Sequence, residues 1–306
     1  MFAASVIASV LLLAPSPEDL IVPRSFADLL ESCEYRYTGG QYQEELFRYR
    51  LFVPRDPKPQ EKYPLLVWFH GYGEHGLDNQ ISLKYLNTVI LKDLGHLEKY
   101  RFFILVVQCP PSNSNWFRSS GAGPAAADDM LSVTYAILQK TLGERPVDQD
   151  RVYLAGVSAG GGACWEMATR YPEVFTAVVP MSSGGGDVSR AAKLVDIPIW
   201  AFHNDFDKGT PPEGDARMVA AVKRAGGNAH LTLFPSGSHF CWDDAFHQCD
   251  AMAWMLGQRR DASLCWTPAG CRPWKWWHVF GVPGVFLALV GAGWYSERRR
   301  RMRQKG

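Results

Sequence analysis

No C-x-x-C pair occurs in this 306-residue chain, so its seven cysteines do not suggest a zinc site. Neither sign of charge is in excess. Lys and Arg number 32 against 31 Asp and Glu, a formal net charge of +1, and part of the positive share sits in a terminal arginine run. Nothing in that balance suggests nucleic-acid binding. Internal repeats are absent too, which excludes a solenoid or propeller. What remains is a chain long enough for one sizeable core. Apolar runs such as Phe103–Val107 and Ala177–Met181 alternate with helical patterns such as Asp129–Leu138. That alternation predicts an α/β fold, a mostly parallel sheet with helices on both faces. Two segments, Glu34–Thr38 and Glu45–Val53, flank a Gly39-Gly40 turn and read as its antiparallel start.

The strongest local signal is Gly156-Val157-Ser158-Ala159-Gly160. It follows the apolar run Val152–Ala155 and leads into a helical pattern, the strand–turn–helix setting of a nucleophile elbow. A serine on so tight a turn needs small neighbours, which the glycines supply. A serine hydroxyl is a poor nucleophile unaided and requires a base with an orienting acid. Downstream histidines are His203, His230, His239 and His247. His239 lies in a small-residue loop directly after the strand-like His230–Phe234 and is the candidate base. His203 ends the apolar run Ile197–Phe202 and reads as a residue that orients the acid loop. Asp205 and Asp207 both follow that run, and spacing alone does not separate them. A buried-strand run, Leu65–Phe69, ends in His70-Gly71-Tyr72-Gly73, where a backbone N–H at Tyr72 joins that of Ala159 as the candidate oxyanion pair.

Several of these segments resemble one family. His70-Gly71-Tyr72-Gly73-Glu74-His75-Gly76-Leu77-Asp78-Asn79 is similar to an H-G-x-G-E-x-G-x-D-N signature, found in a branch of the α/β-hydrolases. That branch covers secreted esterases and predicted peptidases related to feruloyl esterases and polyhydroxybutyrate depolymerases. Val107–Pro110, Asp148–Ser158 and Arg170–Phe175 resemble it further, and the likeness runs from about Leu46 to Leu256. Phe202-His203-Asn204-Asp205-Phe206-Asp207 is similar to the family's F-H-G-x-x-D, whose last residue is the triad acid. The resemblance therefore selects Asp207. His239 with Trp242 resembles its H-x-x-W element. Two residues depart from the pattern: Asn204 stands for a glycine, and His75 for a common arginine.

The chain ends differ in composition. Ala4–Ala14 resembles the apolar region of a signal peptide (1–14) although a basic start is missing. The catalytic domain is expected over 26–258 and a juxtamembrane linker over 259–275. Residues 276–295 form an apolar run with tryptophan near both ends, long enough for a membrane helix. A basic tail, 296–306, follows and puts that side in the cytoplasm. The alternative is a sorting tail that is processed after export. Cys241–Cys249 and Cys265–Cys271 are the expected local disulfides in such a compartment, and Cys164 is expected to be a buried thiol.

The expectation is therefore a membrane-anchored serine carboxylesterase outside the cytoplasm. Ser158, His239 and Asp207 are its triad, Tyr72 and Ala159 its oxyanion hole, and its substrate is a small or polymer-linked ester. No metal or organic cofactor is called for. Trp116, Phe117, Trp165 and Trp242 are candidate pocket walls, the first two placed to stack on a sugar or aryl group. The rivals are a peptidase on the same triad and a binding module that has kept only the fold.

Overall fold

In the computed structural model the described residues are 26–58, 60–90, 101–112, 116–117 and 129–260. All lie in the first of two units into which the chain divides, 1–268; the second, 269–306, is outside the described residues. So are the signal-peptide segment, nearly all of the linker, the apolar run 276–295 and the basic tail. Among the described residues no helix is long and apolar enough to cross a membrane.

Eight strands make one sheet in the order β1-β2-β4-β3-β5-β6-β7-β8. The first two, β1 (Leu30–Gly39) and β2 (Tyr42–Phe52), form the expected hairpin, and β2 pairs antiparallel with β4 (Phe103–Val107). From β4 onward every neighbouring pair is parallel: β3 (Tyr63–Phe69), β5 (Val147–Val157), β6 (Ala177–Met181), β7 (Ile199–Asn204) and β8 (Ala229–Phe234). β3, β4, β6 and β7 are buried along their whole length, and β5 over its second half, as continuous apolar runs require when helices cover both faces. β1 instead alternates in exposure, which fits a strand at the open edge.

Among the described residues six α-helices flank the sheet: α1 (Lys84–Ile90), α2 (Met130–Glu144), α3 (Ala159–Arg170), α4 (Glu213–Arg224), α5 (Trp242–His247) and α6 (Ala251–Leu256). Asp129 caps α2, its Oδ1 accepting from the N–H groups of Leu131 and Ser132 at 3.1 and 3.2 Å. The same carboxylate takes a two-pronged bond from Arg170 at the end of α3, at 2.8 and 2.7 Å. Glu166 joins Arg170 to Arg190, so one chain of charges ties three segments together.

Cysteine pairing differs from the expectation. Cys241 is a free, buried thiol that hydrogen-bonds the Phe202 carbonyl and accepts from Ser182, so the Cys241–Cys249 pair does not form. Cys249 is disulfide-bonded, and its partner lies outside the described residues, as does the expected Cys265–Cys271 pair. Local spacing suggested the nearer partner; the end of β7 claims Cys241 instead. Cys164 is a free thiol at 0% exposure, in line with its reading as a small core residue.

Asp129→Ala removes a cap and leaves Arg170 half-buried with one carboxylate fewer. Urea unfolding should show a loss of roughly 2–4 kcal/mol. Asp129→Asn, which keeps the cap oxygen, should lose less; equal losses would contradict the ion-pair account.

Candidate active site

Parallel strands share a direction, so the carboxyl ends of β3, β5, β7 and β8 come to one edge of the sheet. Each delivers one part of the site there. β5 ends in Ser158, whose φ of 55° and ψ of −118° lie where side chains rarely go. Such a conformation costs on the order of 1–3 kcal/mol and must be held by its surroundings. The Ser158 N–H donates to Met181 on β6 at 2.8 Å, and its carbonyl accepts from Gly162 in α3 at 3.1 Å. Gly160 lets this turn come close to its neighbour. A Cβ there would lie 2.2 Å from the Phe69 carbonyl oxygen and 2.6 Å from that of His70.

β3 ends in the loop His70–Gly73. His70 is buried and its two ring nitrogens have distinct jobs. The Cys109 N–H donates to Nε2 at 3.0 Å, so the proton sits on Nδ1 and is given to the Gly71 carbonyl at 2.7 Å. Burial pushes this imidazole down to about pKa 3, against the opposing pull of the Gly71 bond, so it is neutral under ordinary conditions. The indole N–H of Trp116 holds the His70 carbonyl at 3.0 Å. In a trans peptide the N–H points opposite to the C=O, so the Tyr72 N–H is turned away from His70. Neither it nor the Ala159 N–H, first in α3, has a backbone acceptor among the described residues. Gly71 adjoins the elbow: a Cβ on it would sit 3.5 Å from Ser158 Cβ.

The rest of that signature braces the loop. Gln108 accepts from the Asn79 N–H at 2.6 Å and donates to Asp78 at 2.8 Å, while Asn79 donates to the Tyr49 carbonyl at 3.1 Å. His75 packs on Tyr72 and His70. Burial lowers its pKa, and its Nε2 is without a partner among the described residues. Glu74 is buried, with one carboxylate oxygen likewise unpartnered. Burial pushes its carboxyl up, against the charge of Lys84.

β7 and β8 carry the acid and the histidine. Asp207 is buried, and its Oδ1 accepts from the N–H groups of Gly209 and Thr210 at 2.9 and 3.1 Å. Its Oδ2 accepts from His239 Nδ1 at 2.6 Å, leaving Nε2 of that ring for other work. Burial pushes the Asp207 carboxyl up, but the hydrogen bonds from His239 and the backbone outweigh it and hold the group below the usual range. Asn204, the departure from the family pattern, donates to the Ser238 carbonyl at 2.7 Å and so ties the acid strand to the histidine loop.

Of the four aromatic residues expected as pocket walls, three are buried and Phe117 is partly buried. Trp116 and Trp165 are fully buried, the first under His70 and the second bonded to Asp215 at 2.8 Å. Trp242 is 3% exposed and packs against Tyr85, Phe240 and the edge of His239. Phe117, partly buried, faces the first turn of α3 at Gly162. Among the described residues the most exposed aromatics are Tyr72, Phe206 and Phe240, at 64%, 62% and 54%. Two of these directly adjoin a residue of the acid–histidine pair and the third is the oxyanion candidate itself. That adjacency was the available signal for them.

A parallel sheet with an elbow serine after its central strand, and an acid and a histidine following in chain order, is the arrangement of the α/β-hydrolases, and the chain has an α/β-hydrolase-like fold. Residues 48–197 match the family model described as Esterase PHB depolymerase. An endo-1,4-beta-xylanase/feruloyl esterase of Xylanibacter ruminicola is 27% identical over 183 residues, which is 59% of this chain and 24% of the relative. The chain thus spans about a quarter of that protein. A thermostable esterase of solved structure is 31% identical with a TM-score of 0.68, covering 76% of this chain and 64% of the other. A ferulic acid esterase at 16% identity and TM-score 0.57 covers 74% and 97% and shows the fold alone, as do peptidases among the remaining neighbours. Together these similarities support a hydrolase of carboxylesterase type.

His70 also predicts a pH effect. Its pKa falls on folding from 6.5 to about 3, so the unfolded chain binds the extra proton between those values. The stability it supports is full above 6.5 and is lost as pH falls through that window. Urea midpoints measured across it should drop less steeply in His70→Gln than in the parent; parallel curves would contradict the assignment.

Proposed function

We propose that this domain is a serine carboxylesterase working through an acyl-enzyme. Ser158 Oγ attacks the ester carbonyl while His239 Nε2 takes its proton, and the bond from Nδ1 to Asp207 steadies the imidazolium that results. The oxyanion is received by the N–H groups of Tyr72 and Ala159 at the positive end of α3. The imidazolium then protonates the departing alkoxide. Water repeats the sequence and releases the acid. The observation that carries this reading is the 2.6 Å His239–Asp207 bond, at the sheet edge where the strained Ser158 turn also lies.

The neutral histidine at position 70 supports the oxyanion role, because it engages the Gly71 carbonyl and leaves the adjoining N–H free for a ligand. The feruloyl-esterase relative and the exposed aromatics beside both the acid and the histidine favour an aryl or polymer-borne ester over a small alkyl one. Export is proposed as well. It rests on the signal-like start, on the apolar run 276–295 with its arginine tail, and on the disulfide at Cys249, a bond that persists in oxidising compartments.

Turnover of acetyl, longer acyl and feruloyl esters, set beside aminoacyl amides, tests the reaction class. Esters should be cleaved and amides barely. Ser158→Ala should cut kcat by about 10⁴-fold or more and Asp207→Asn by about 10³- to 10⁴-fold, with KM little changed. Faster cleavage of amides than esters would reassign the protein as a peptidase, and full activity in Ser158→Ala would end the proposal. For export, intact cells expressing the chain should expose its catalytic domain to added protease; complete protection would refute the placement.

A further inference from the structure

Beneath the acid–histidine pair lies a second, fully buried one. His203, the second-to-last residue of β7, directs Nδ1 to Asp215 Oδ2 at 2.8 Å, and both side chains are at 0% exposure. On its other side Nε2 meets the Thr210 carbonyl at 2.7 Å and stands 3.5 Å from Asp207 Oδ2. A carbonyl oxygen only accepts, so Nε2 must carry a proton.

The state of Nδ1 follows from the partners of Asp215. Oδ1 accepts from the Trp165 indole N–H at 2.8 Å and from the Ser183 hydroxyl, and Oδ2 accepts from the Ser183 N–H at 3.0 Å. The Ser183 hydroxyl itself accepts from Gly185 N–H at 3.1 Å, which leaves its hydrogen for the carboxylate. Three donors besides His203 thus stabilise the charged form of Asp215, and the shared proton belongs on the imidazole. With both ring nitrogens donating, the ring is an imidazolium.

We infer that His203 is a charged positioning residue, a buried imidazolium held by Asp215 that fixes the Thr210 turn and sets the field at Asp207 from behind. This rests on the triad reading above, and it assigns to the reaction a residue pair outside that triad. Two imidazoles then share Asp207 Oδ2, His239 from the solvent side and His203 from the core side. Other titratable groups facing the pair are the Cys164 and Cys241 thiols. Burial pushes both up, so they stay neutral and the charges behind His239 are those of Asp207, Asp215 and the His203 ring. Burial alone pushes the His203 imidazole down. The bond and charge of Asp215, with Thr210 and Asp207, outweigh it and raise the net value above that of an ordinary histidine.

The carboxylate of Asp207 is therefore bound from both sides, which holds it ionised and pointed. Loss of the His203 proton would free the Thr210 carbonyl, whose own N–H orients Asp207 Oδ1, and the acid would loosen. Activity on the alkaline side should thus fall as His203 deprotonates, above the usual histidine range.

The test uses the full chain labelled with ¹⁵N in its histidines, with His203 assigned by comparison with His203→Asn. At pH about 8, where an ordinary histidine is neutral, both His203 nitrogens should be protonated. In Asp215→Asn the same ring should be neutral. In kinetics, His203→Asn should lower kcat roughly tenfold with KM little changed, and the alkaline fall seen in the parent should be absent. A neutral His203 in the parent at that pH overturns the inference, as does an unchanged pH profile in His203→Asn. The resonance measurement is independent of turnover, so a chain that cleaves no ester would sink the esterase reading without deciding this one. Should His203→Asn fail to fold, Asp215→Asn provides both readouts.

Discussion

Where α3 begins, Gly160 lies so close to the end of β3 that no side chain could stand between them; a Cβ would overlap the carbonyl oxygens of Phe69 and His70. This backbone contact brings the elbow and the His70–Gly73 loop into one rigid piece. It depends in turn on the parallel register of β3 and β5, in which Phe69 stands opposite Gly156. The strain at Ser158 is tolerable because that packing, together with the Met181 and Gly162 bonds, leaves the turn nowhere to relax. The site is thus a consequence of sheet order first and of side-chain chemistry second.

Buried polarity follows one rule across this edge. The buried carboxylates of Asp207, Asp215 and Asp129 are each met by several donors, among them an imidazole or a guanidinium across a short bond in all three cases. His70, which has no carboxylate, is neutral and works through hydrogen bonds alone. The two histidines therefore serve the site in opposite charge states, one shaping the oxyanion loop and the other backing the acid. Asn204 adds a neutral tether between the acid and histidine loops where relatives of the pattern carry glycine.

Much of the fold was legible in the sequence because parallel strands write long apolar runs and the hairpin has its Gly39-Gly40 turn. The elbow and the chain order of Ser158, Asp207 and His239 were legible for the same reason: motif and strand ends coincide. Choosing Asp207 over Asp205 needed the family pattern, since both follow the same strand. Burial is what the sequence concealed. Trp116 and Trp165 look like binding aromatics by composition, yet their indole N–H groups are claimed by His70 and Asp215 in the interior. Asp215 reads as an ordinary acidic residue early in an amphipathic helix, and only the packing of α4 against β7 reveals its partners. The pairing of Cys249 was hidden similarly, because proximity along the chain does not report which thiol β7 encloses.

The central claim is that Ser158 is the nucleophile of a covalent reaction. Brief exposure to p-nitrophenyl acetate, acid quench and mass analysis of the peptide from Val152 to Arg170 tests it most directly. The account predicts a burst of p-nitrophenol with acetyl carried on Ser158 and absent after Asp207→Asn slows its formation. Sustained ester turnover with no acyl group ever trapped on that serine would contradict it.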